Sequence, residues 1–317
     1  FRIGAGKIVP RETESATSLD LLIQRPFDYV MQYAARLRAG GVSELDELNL
    51  IEGRVAHRTL ELIVHQTEGK RNDIINIISN QEDFGHYFLK AVQQCGLALL
   101  LARHYIERKA LHDRLHNALW ALMQILIKCE LKIEGVEREA STPLFTTGEP
   151  ALTARVDLLL RDKTDKPVIF DLKWSRKDKK YEALIRDGHD MQLRIYDYTI
   201  SSDLRCRVAA TGYFLLGRGQ LLSADLPDLQ GYIKHVDAPR STDEAMARVR
   251  AGYVRRYEEL REGIIEQGEG MPVKELPYAR ANDPEQSWPL YTEDNKGIIK
   301  QTDPYDNAYR IFKGTLK

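Results

Sequence analysis

The stretch Ala154–Ser175 constrains the fold more than any other part of the chain. It reads ARVDLLL, then a polar RDKTDK turn, then PVIFDLKWS. Two short apolar runs joined by a turn predict a pair of neighbouring strands. Side chains alternate across a strand with period two, so Asp171 and Lys173 point to the same face. Asp157 lies on the neighbouring strand and can point at the same spot. Two carboxylates and an amine then converge at the edge of an apolar sheet, the groups that metal-dependent phosphodiester hydrolysis requires.

The chain has 317 residues, enough for one large domain or two small ones, and 43% are apolar, so it can bury a sizeable core. Charged residues make up 29%, with a formal net charge of −1. That balance excludes a strongly basic nucleic-acid coat but not a local basic groove. Cys95, Cys129 and Cys206 are widely separated and odd in number, which predicts buried thiols in a reducing compartment. With no signal peptide and no membrane-length apolar run, a cytoplasmic chain is expected. It begins at Phe1, compatible with a module cut from something longer.

Residues 1–13 read as an irregular lead-in. GAGK at 4–7 lacks the first glycine and the Ser or Thr of a phosphate loop. Ser15 or Ser18 can cap a helix through LDLLIQ that Pro26 interrupts. Residues 27–38 predict a second amphipathic helix ended by Gly40-Gly41, and a third follows Gly53, with His57 and Glu61 four apart. Residues 69–134 are helical in pattern. A strand near 134–140 leads through a Pro/Gly loop to strands at 153–160 and 167–174. A basic solvated loop, a helix over 189–201, strands at 207–216 and 220–224, and a charged helix over 242–267 complete the pattern. Strand, strand, helix, strand in one block predicts a mixed sheet with a crossover helix.

Phosphodiester hydrolysis needs an activated water, charge neutralisation on the phosphoryl group and a stabilised leaving alkoxide. A hard divalent cation serves all three. Asp157 and Asp171 are the expected ligands, joined by a strand carbonyl such as that of Leu172. Lys173 is suited to counter developing negative charge. It would act as a base only with a lowered pKa, which two neighbouring carboxylates oppose. Arg176, Lys177, Lys179 and Lys180 follow the DxK strand directly and are candidate phosphate contacts. Trp174 alternates away from the site and reads as core. His112 and His116, four apart on a helix, have zinc-compatible spacing. Asp113 stands where the metalloprotease pattern needs Glu, so solvated or interfacial helix histidines are expected instead.

Taken together, these segments resemble the PD-(D/E)xK nuclease superfamily in its RecB/AddB-like branch. The matching residues are Gly53-Arg-Val-Ala-His57-Arg-Thr-Leu-Glu61, Ala154-Arg-Val-Asp157, Asp171-Leu-Lys173 and Gln192-Leu-Arg-Ile-Tyr196, in the branch's order. The opening SATSLDLLIQRPFDYVMQYAARLR is similar to the branch's first helices, so the resemblance spans about residues 15–216. It implies a restriction-endonuclease-like α/β fold: a mixed central sheet flanked by helices, with a large helical insertion. A single nuclease domain would divide into N-terminal helices (15–66), the insertion (69–134), the catalytic sheet (135–225) and a C-terminal helix with a wrapping tail (226–317).

The same resemblance implies roles. His57 would ligate Mg²⁺ or Mn²⁺ with Asp157 and Asp171, and Lys173 would be the catalytic lysine. Gln192 and Tyr196 would shape the site and contact the DNA backbone. Glu139 would be an outer-shell or second-metal carboxylate, with Glu137 as the alternative. Iron–sulfur members of the branch carry a cysteine where this chain has Arg25, and others near the C-terminus, whereas no cysteine follows Cys206. No iron–sulfur cluster is therefore expected, and Trp288, Tyr291, Tyr309 and Phe312 would fix the tail by packing. The implied activity is a DNA nuclease, exo- or endonucleolytic, working with a helicase domain or subunit in DNA repair and recombination. A stand-alone defence nuclease and a catalytically silent DNA-binding or scaffold domain are the alternatives.

Overall fold

The computed structural model describes residues 3–37, 48–144 and 150–265. β1 (Thr13–Ser15) leads into α1 (Ala16–Gln24) and a short α2 (Pro26–Tyr29). A helical block follows, comprising α3 (Leu48–Thr67), α4 (Arg71–Ser79), α5 (Gln81–Cys95) and α6 (Tyr105–Lys128). Next come β2 (Lys132–Pro143), β3 (Ala151–Arg161) and β4 (Pro167–Lys173). Helices α7 (Lys179–Arg186) and α8 (Met191–Asp203) cross over to β5 (Ala210–Leu215). The described chain closes with β6 (Gln220–Ser223), β7 (Ile233–His235) and α9 (Thr242–Arg261). The result is the mixed α/β architecture expected, a central sheet flanked by helices.

Three segments depart locally from expectation. Ser15 caps α1 by a reciprocal pair with Ser18, but the helix expected over 27–38 is shorter. Its α-helical turn ends at Tyr29, and Val30–Ala34 widens into a π turn before Arg36 turns the chain at φ 54°. Tyr29, Val30 and Met31 are all buried in succession, as Ser18–Gln24 are in α1. The basic segment after β4 is a helix and not a loop. Leu184, Ile185 and half-buried Tyr181 give α7 an apolar side that packs on Leu193, Tyr213, Leu215 and Leu222. The region assigned to a C-terminal helix and tail also contains a strand, β7, which pairs in parallel with β6.

Among the described residues the sheet has 7 strands. β2 runs antiparallel along the full length of β3. The other edge of β3 is shared. β1 pairs in parallel from Thr13↔Ala151 to Ser15↔Thr153, and β4 pairs antiparallel from Leu158↔Phe170 to Arg161↔Pro167. Residues 154–157 lie in the gap between these two partners. β4 pairs in parallel with β5, and β6 returns antiparallel.

Helices cover both faces. Leu158, Leu160, Phe170, Leu172 and Phe214 pack against the α3–α6 block. Val156, Leu159 and Ile169 pack against Tyr196 and Ile200 of α8, behind which α1 and α9 lie. Val156 and Leu158 are two apart, yet they enter opposite cores. The strand's alternation therefore breaks at Asp157. On β2 the neighbouring Glu137 adopts the left-handed region at φ 52°, a strained conformation for a side chain with a Cβ. Fully buried Leu and Phe side chains each contribute about 1.5–3 kcal/mol. The two cores thus hold the sheet firmly around a local irregularity.

The three cysteines are half-buried and not in the core. His112 packs on the edges of Phe84 and Phe88, and His116 packs on Phe84 while its Nε2 lies 2.9 Å from the Ile78 carbonyl oxygen. These are interface histidines, as expected. Among the described residues no helix is long and apolar enough to cross a membrane. The Gly40-Gly41 stop and the tail aromatics Trp288, Tyr291, Tyr309 and Phe312 lie outside the described residues.

Candidate active site

β4 presents Asp171 and Lys173 on one face, with Lys173 Nζ 2.8 Å from Asp171 Oδ2. The β3–β4 ladder ends at Leu158↔Phe170. Just beyond it, the side chain of Asp157 replaces a backbone acceptor, and its Oδ2 takes the Leu172 N–H at 2.7 Å. The gap between β1 and β4 thus brings Asp157 to the end of the DxK strand. From α3, His57 Nδ1 reaches to 3.8 Å from Asp157 Oδ1. His57, Glu137 and Asp157 each offer a ligand atom within 4.8 Å of the others.

Glu139 does not join this group. It is exposed, pairs across the ladder with Arg155, and lines a separate hollow with Ser15, Ala140 and Asp203. The register shift between Ile133 and Gly135 and the left-handed Glu137 upset simple counting along β2. Glu137, the alternative in the sequence, is the carboxylate that the structure brings to the cluster.

α8 steadies the lysine. Lys173 Nζ donates to Gln192 Oε1 at 3.0 Å, and Gln192 Nε2 donates to the Tyr196 hydroxyl at 2.8 Å. The four-residue spacing puts both partners on one helix face. Tyr196 is pinned by the α8–sheet core. The ammonium is therefore aimed by a chain of two hydrogen bonds.

Burial dominates the electrostatics. It pushes both Asp171 and Asp157 up to about 6, against the pull of the Lys173 charge. Like charge adds to this: Asp157 raises Asp171, and Glu137 raises Asp157. Burial pulls Lys173 down, but the charge and hydrogen bond of Asp171 outweigh it and the pKa stays above its usual value. Lys173 is thus a cation and not a base. Burial holds His57 below the usual imidazole range, despite Asp171, Glu137 and a hydrogen bond to the Leu172 backbone. A neutral imidazole is the form that ligates metals.

Asp171 is 0% exposed. Apart from the Lys173 ammonium, neither of its oxygens has a hydrogen-bond donor among the described residues. A buried carboxylate with so few donors is costly unless a cation completes it. Carboxylate oxygens, a neutral imidazole and the backbone of Leu172 make a donor set that suits Mg²⁺ or Mn²⁺.

These groups floor an open cleft of about 1040 Å³. Gly53, Arg54 and Arg58 of α3 form one wall, and Trp174, Arg176, Lys177 and Tyr181 form the other. Trp174, expected in the core, packs against it and also lines this wall. Its Nε1 donates to buried Glu52 on α3 at 2.7 Å, and Arg114 of α6 lies 5.5 Å over its ring. A Cβ at Gly53 would stand 3.3 Å from the Trp174 Cβ. The glycine therefore lets α3 approach the end of β4, and His57 arrives one turn later. Lys179 and Lys180 lie on α7 and line a second hollow instead. Arg54 and Arg58 flank His57 in sequence, and that flanking was the available signal for their place in the wall.

The sequence model of the PD-(D/E)XK nuclease superfamily matches residues 13–283. None of the curated proteins matches the chain. Among solved structures, one described as the crystal structure of SSO0001 is similar at 13% identity, with 80% of this chain and 76% of that chain covered and a TM-score of 0.31. The family match extends from β1 through α9 and takes in every group in the cleft floor, and by it the chain belongs to the PD-(D/E)XK nuclease superfamily.

Proposed function

We propose that the chain is a deoxyribonuclease that hydrolyses phosphodiester bonds with Mg²⁺ or Mn²⁺, as one nuclease domain of the RecB/AddB-like branch. The carrying observation is the buried, donor-poor Asp171 beside Asp157, His57, Glu137 and Lys173 at the floor of an open cleft. His57, Asp157, Asp171 and the Leu172 carbonyl would hold the ion, with Glu137 as an outer carboxylate. When bound, the ion supplies an activated water and neutralises phosphoryl charge.

The chain's own residues do the rest. Lys173 stays protonated and is oriented by Gln192, so it donates to a phosphoryl oxygen as negative charge builds there. Gln192 cannot swing freely, because Tyr196 holds its amide. Arg54, Arg58, Arg176 and Lys177 meet flanking phosphates at the cleft walls. The cysteine position of the iron–sulfur members is filled by Arg25, which lies 2.6 Å from Asp28 in an ion pair, and the donors for a cluster do not fit. Association with a helicase in the cytoplasm, for break processing and recombination, rests on the motif order in the sequence.

The test is cleavage of circular and linear DNA, in single- and double-stranded forms, with Mg²⁺, with Mn²⁺ and with chelator. Metal-dependent cleavage supports the reading. An absence of both metal binding and cleavage overturns it.

A further inference from the structure

Beyond the cleft, α7 borders a second hollow of about 550 Å³. Its lining includes Lys177, Lys179, Lys180 and Arg186, all exposed, against one carboxylate, Asp187, which lies 3.1 Å from Arg186. His189, also in the lining, is held below its usual pKa chiefly by burial and adds no charge at neutral pH. Lys177 lines both hollows, so the two meet at that side chain. α7 is the divider, sending Tyr181 into the cleft and Lys179 and Lys180 into the hollow. The cleft's other end differs. It is lined by Asn49, Leu50, Arg54 and Cys95, and Arg58 there is paired with Glu61 at 2.6 Å. Beyond the cleft, the run of exposed cations therefore continues on the α7 side.

We propose that the α7 hollow is a second nucleic-acid subsite, which holds backbone phosphates of the substrate strand on one side only of the scissile bond. This rests on the reading of the cleft as a phosphodiesterase site. A nucleic-acid strand carries one charge per nucleotide, and the hollow's excess of cations counters about three of them. Lys177, at the junction, spans the step from the reacting phosphate to the outer ones. Substrate recognition is then lopsided. Nucleotides on the α7 side add more affinity than those on the Leu50 side, which meet Arg54 and the Glu61-paired Arg58.

The experiment measures binding of single-stranded oligonucleotides of about 6 and about 20 nucleotides, without metal, across about 50–200 mM salt. Wild type is compared with Lys179→Ala/Arg186→Ala and with the charge-keeping Lys179→Arg/Arg186→Lys. Each lost phosphate contact reduces the slope of log K against log salt by about 0.7, so the alanine pair should be shallower by about 1.4 on the longer strand. The arginine/lysine pair should restore the slope. In Mn²⁺, the rate advantage of the longer strand over the shorter should shrink in the alanine pair. If that pair does not fold, Lys179→Ala alone should show a change of about 0.7.

An unchanged slope in a variant that melts like wild type overturns the subsite, as does a wild type that fails to bind the longer strand. Hydrolysis of bis(p-nitrophenyl) phosphate by wild type in Mn²⁺ reads the cleft separately. Hydrolysis together with an unchanged slope removes the subsite and leaves the nuclease reading standing. A changed slope without hydrolysis leaves the hollow as a nucleic-acid-binding surface and overturns its role as a substrate subsite together with that reading.

Discussion

Among the described carboxylates almost completely removed from water, Glu14 at 1% exposure and Asp171 at 0% make the clearest comparison. Their surroundings are opposite. Glu14 Oε1 accepts from the Tyr29 hydroxyl at 2.5 Å, and Oε2 accepts from Ser18 at 2.5 Å and Arg11 at 3.0 Å. The Tyr257 hydroxyl closes the group, 2.9 Å from that of Tyr29. Burial and the Glu14 charge push Tyr29 far above the usual phenol range, so it remains a donor. This cluster ties β1 to α2 and α9 and is complete as it stands. Asp171 has one ammonium beside it and a second carboxylate nearby. The contrast teaches that burial of charge does not itself mark a functional group. What sets Asp171 apart is a shortage of donors together with the other ligand groups at the floor of an open cleft.

The contrast can be broken at either end. The largest effect is expected for Lys173→Ala. Cleavage should fall by roughly 100–1000-fold while Mn²⁺ and DNA still bind. Loss of DNA affinity equal to the loss of rate, measured by anisotropy beside the kinetics, would contradict the assigned role. Next comes Glu14→Ala, which strands several buried donors. It should cost about 3 kcal/mol of stability, equally with and without Mn²⁺. A melting loss that depends on Mn²⁺ would erase the distinction between the two carboxylates.

A third expectation concerns pH. Asp157 and Asp171 start from a usual value of 3.8 and are raised to about 6 in the fold. The folded metal-free protein therefore holds protons that the unfolded chain releases. The contribution of each to stability falls as pH rises from 3.8 to about 6, by about 3 kcal/mol. Metal needs the ionised forms, so the Mn²⁺-induced rise in melting temperature should be full well above pH 6 and vanish toward pH 4. Asp157→Ala or Asp171→Ala should remove that rise. An unchanged rise in both variants would sink the ligand assignment. The smallest effect is His57→Ala, with Mn²⁺ affinity reduced about 10-fold in calorimetry. Full affinity and activity in that variant would make His57 an ordinary helix residue.

The parts of this site that were legible in the sequence are those set by short-range geometry. Asp171 and Lys173 share a face because a strand has period two. His57 and Gly53 are one helical turn apart, as are Gln192 and Tyr196. The illegible parts depend on contacts far apart in sequence. Counting along β2 left Glu137 and Glu139 open, because the register shift near Gly135 and the left-handed turn at Glu137 lie between the alternation and the outcome. Trp174 read as core because nothing near it in sequence announces Glu52, its partner 122 residues away. α7 read as a loop because its basic residues mask a short apolar side that only Tyr213 and Leu222 complete.

The gap on the edge of β3 gives the site a built-in reporter. The Leu172 N–H, next to both Asp171 and Lys173, is held by the carboxylate of Asp157 and not by a ladder carbonyl. An amide bonded to a titrating group changes its resonance frequency when that group gains a proton or a ligand. One backbone signal in a nitrogen–proton spectrum should therefore track acidification and Mg²⁺ arrival, without any substitution in the cleft.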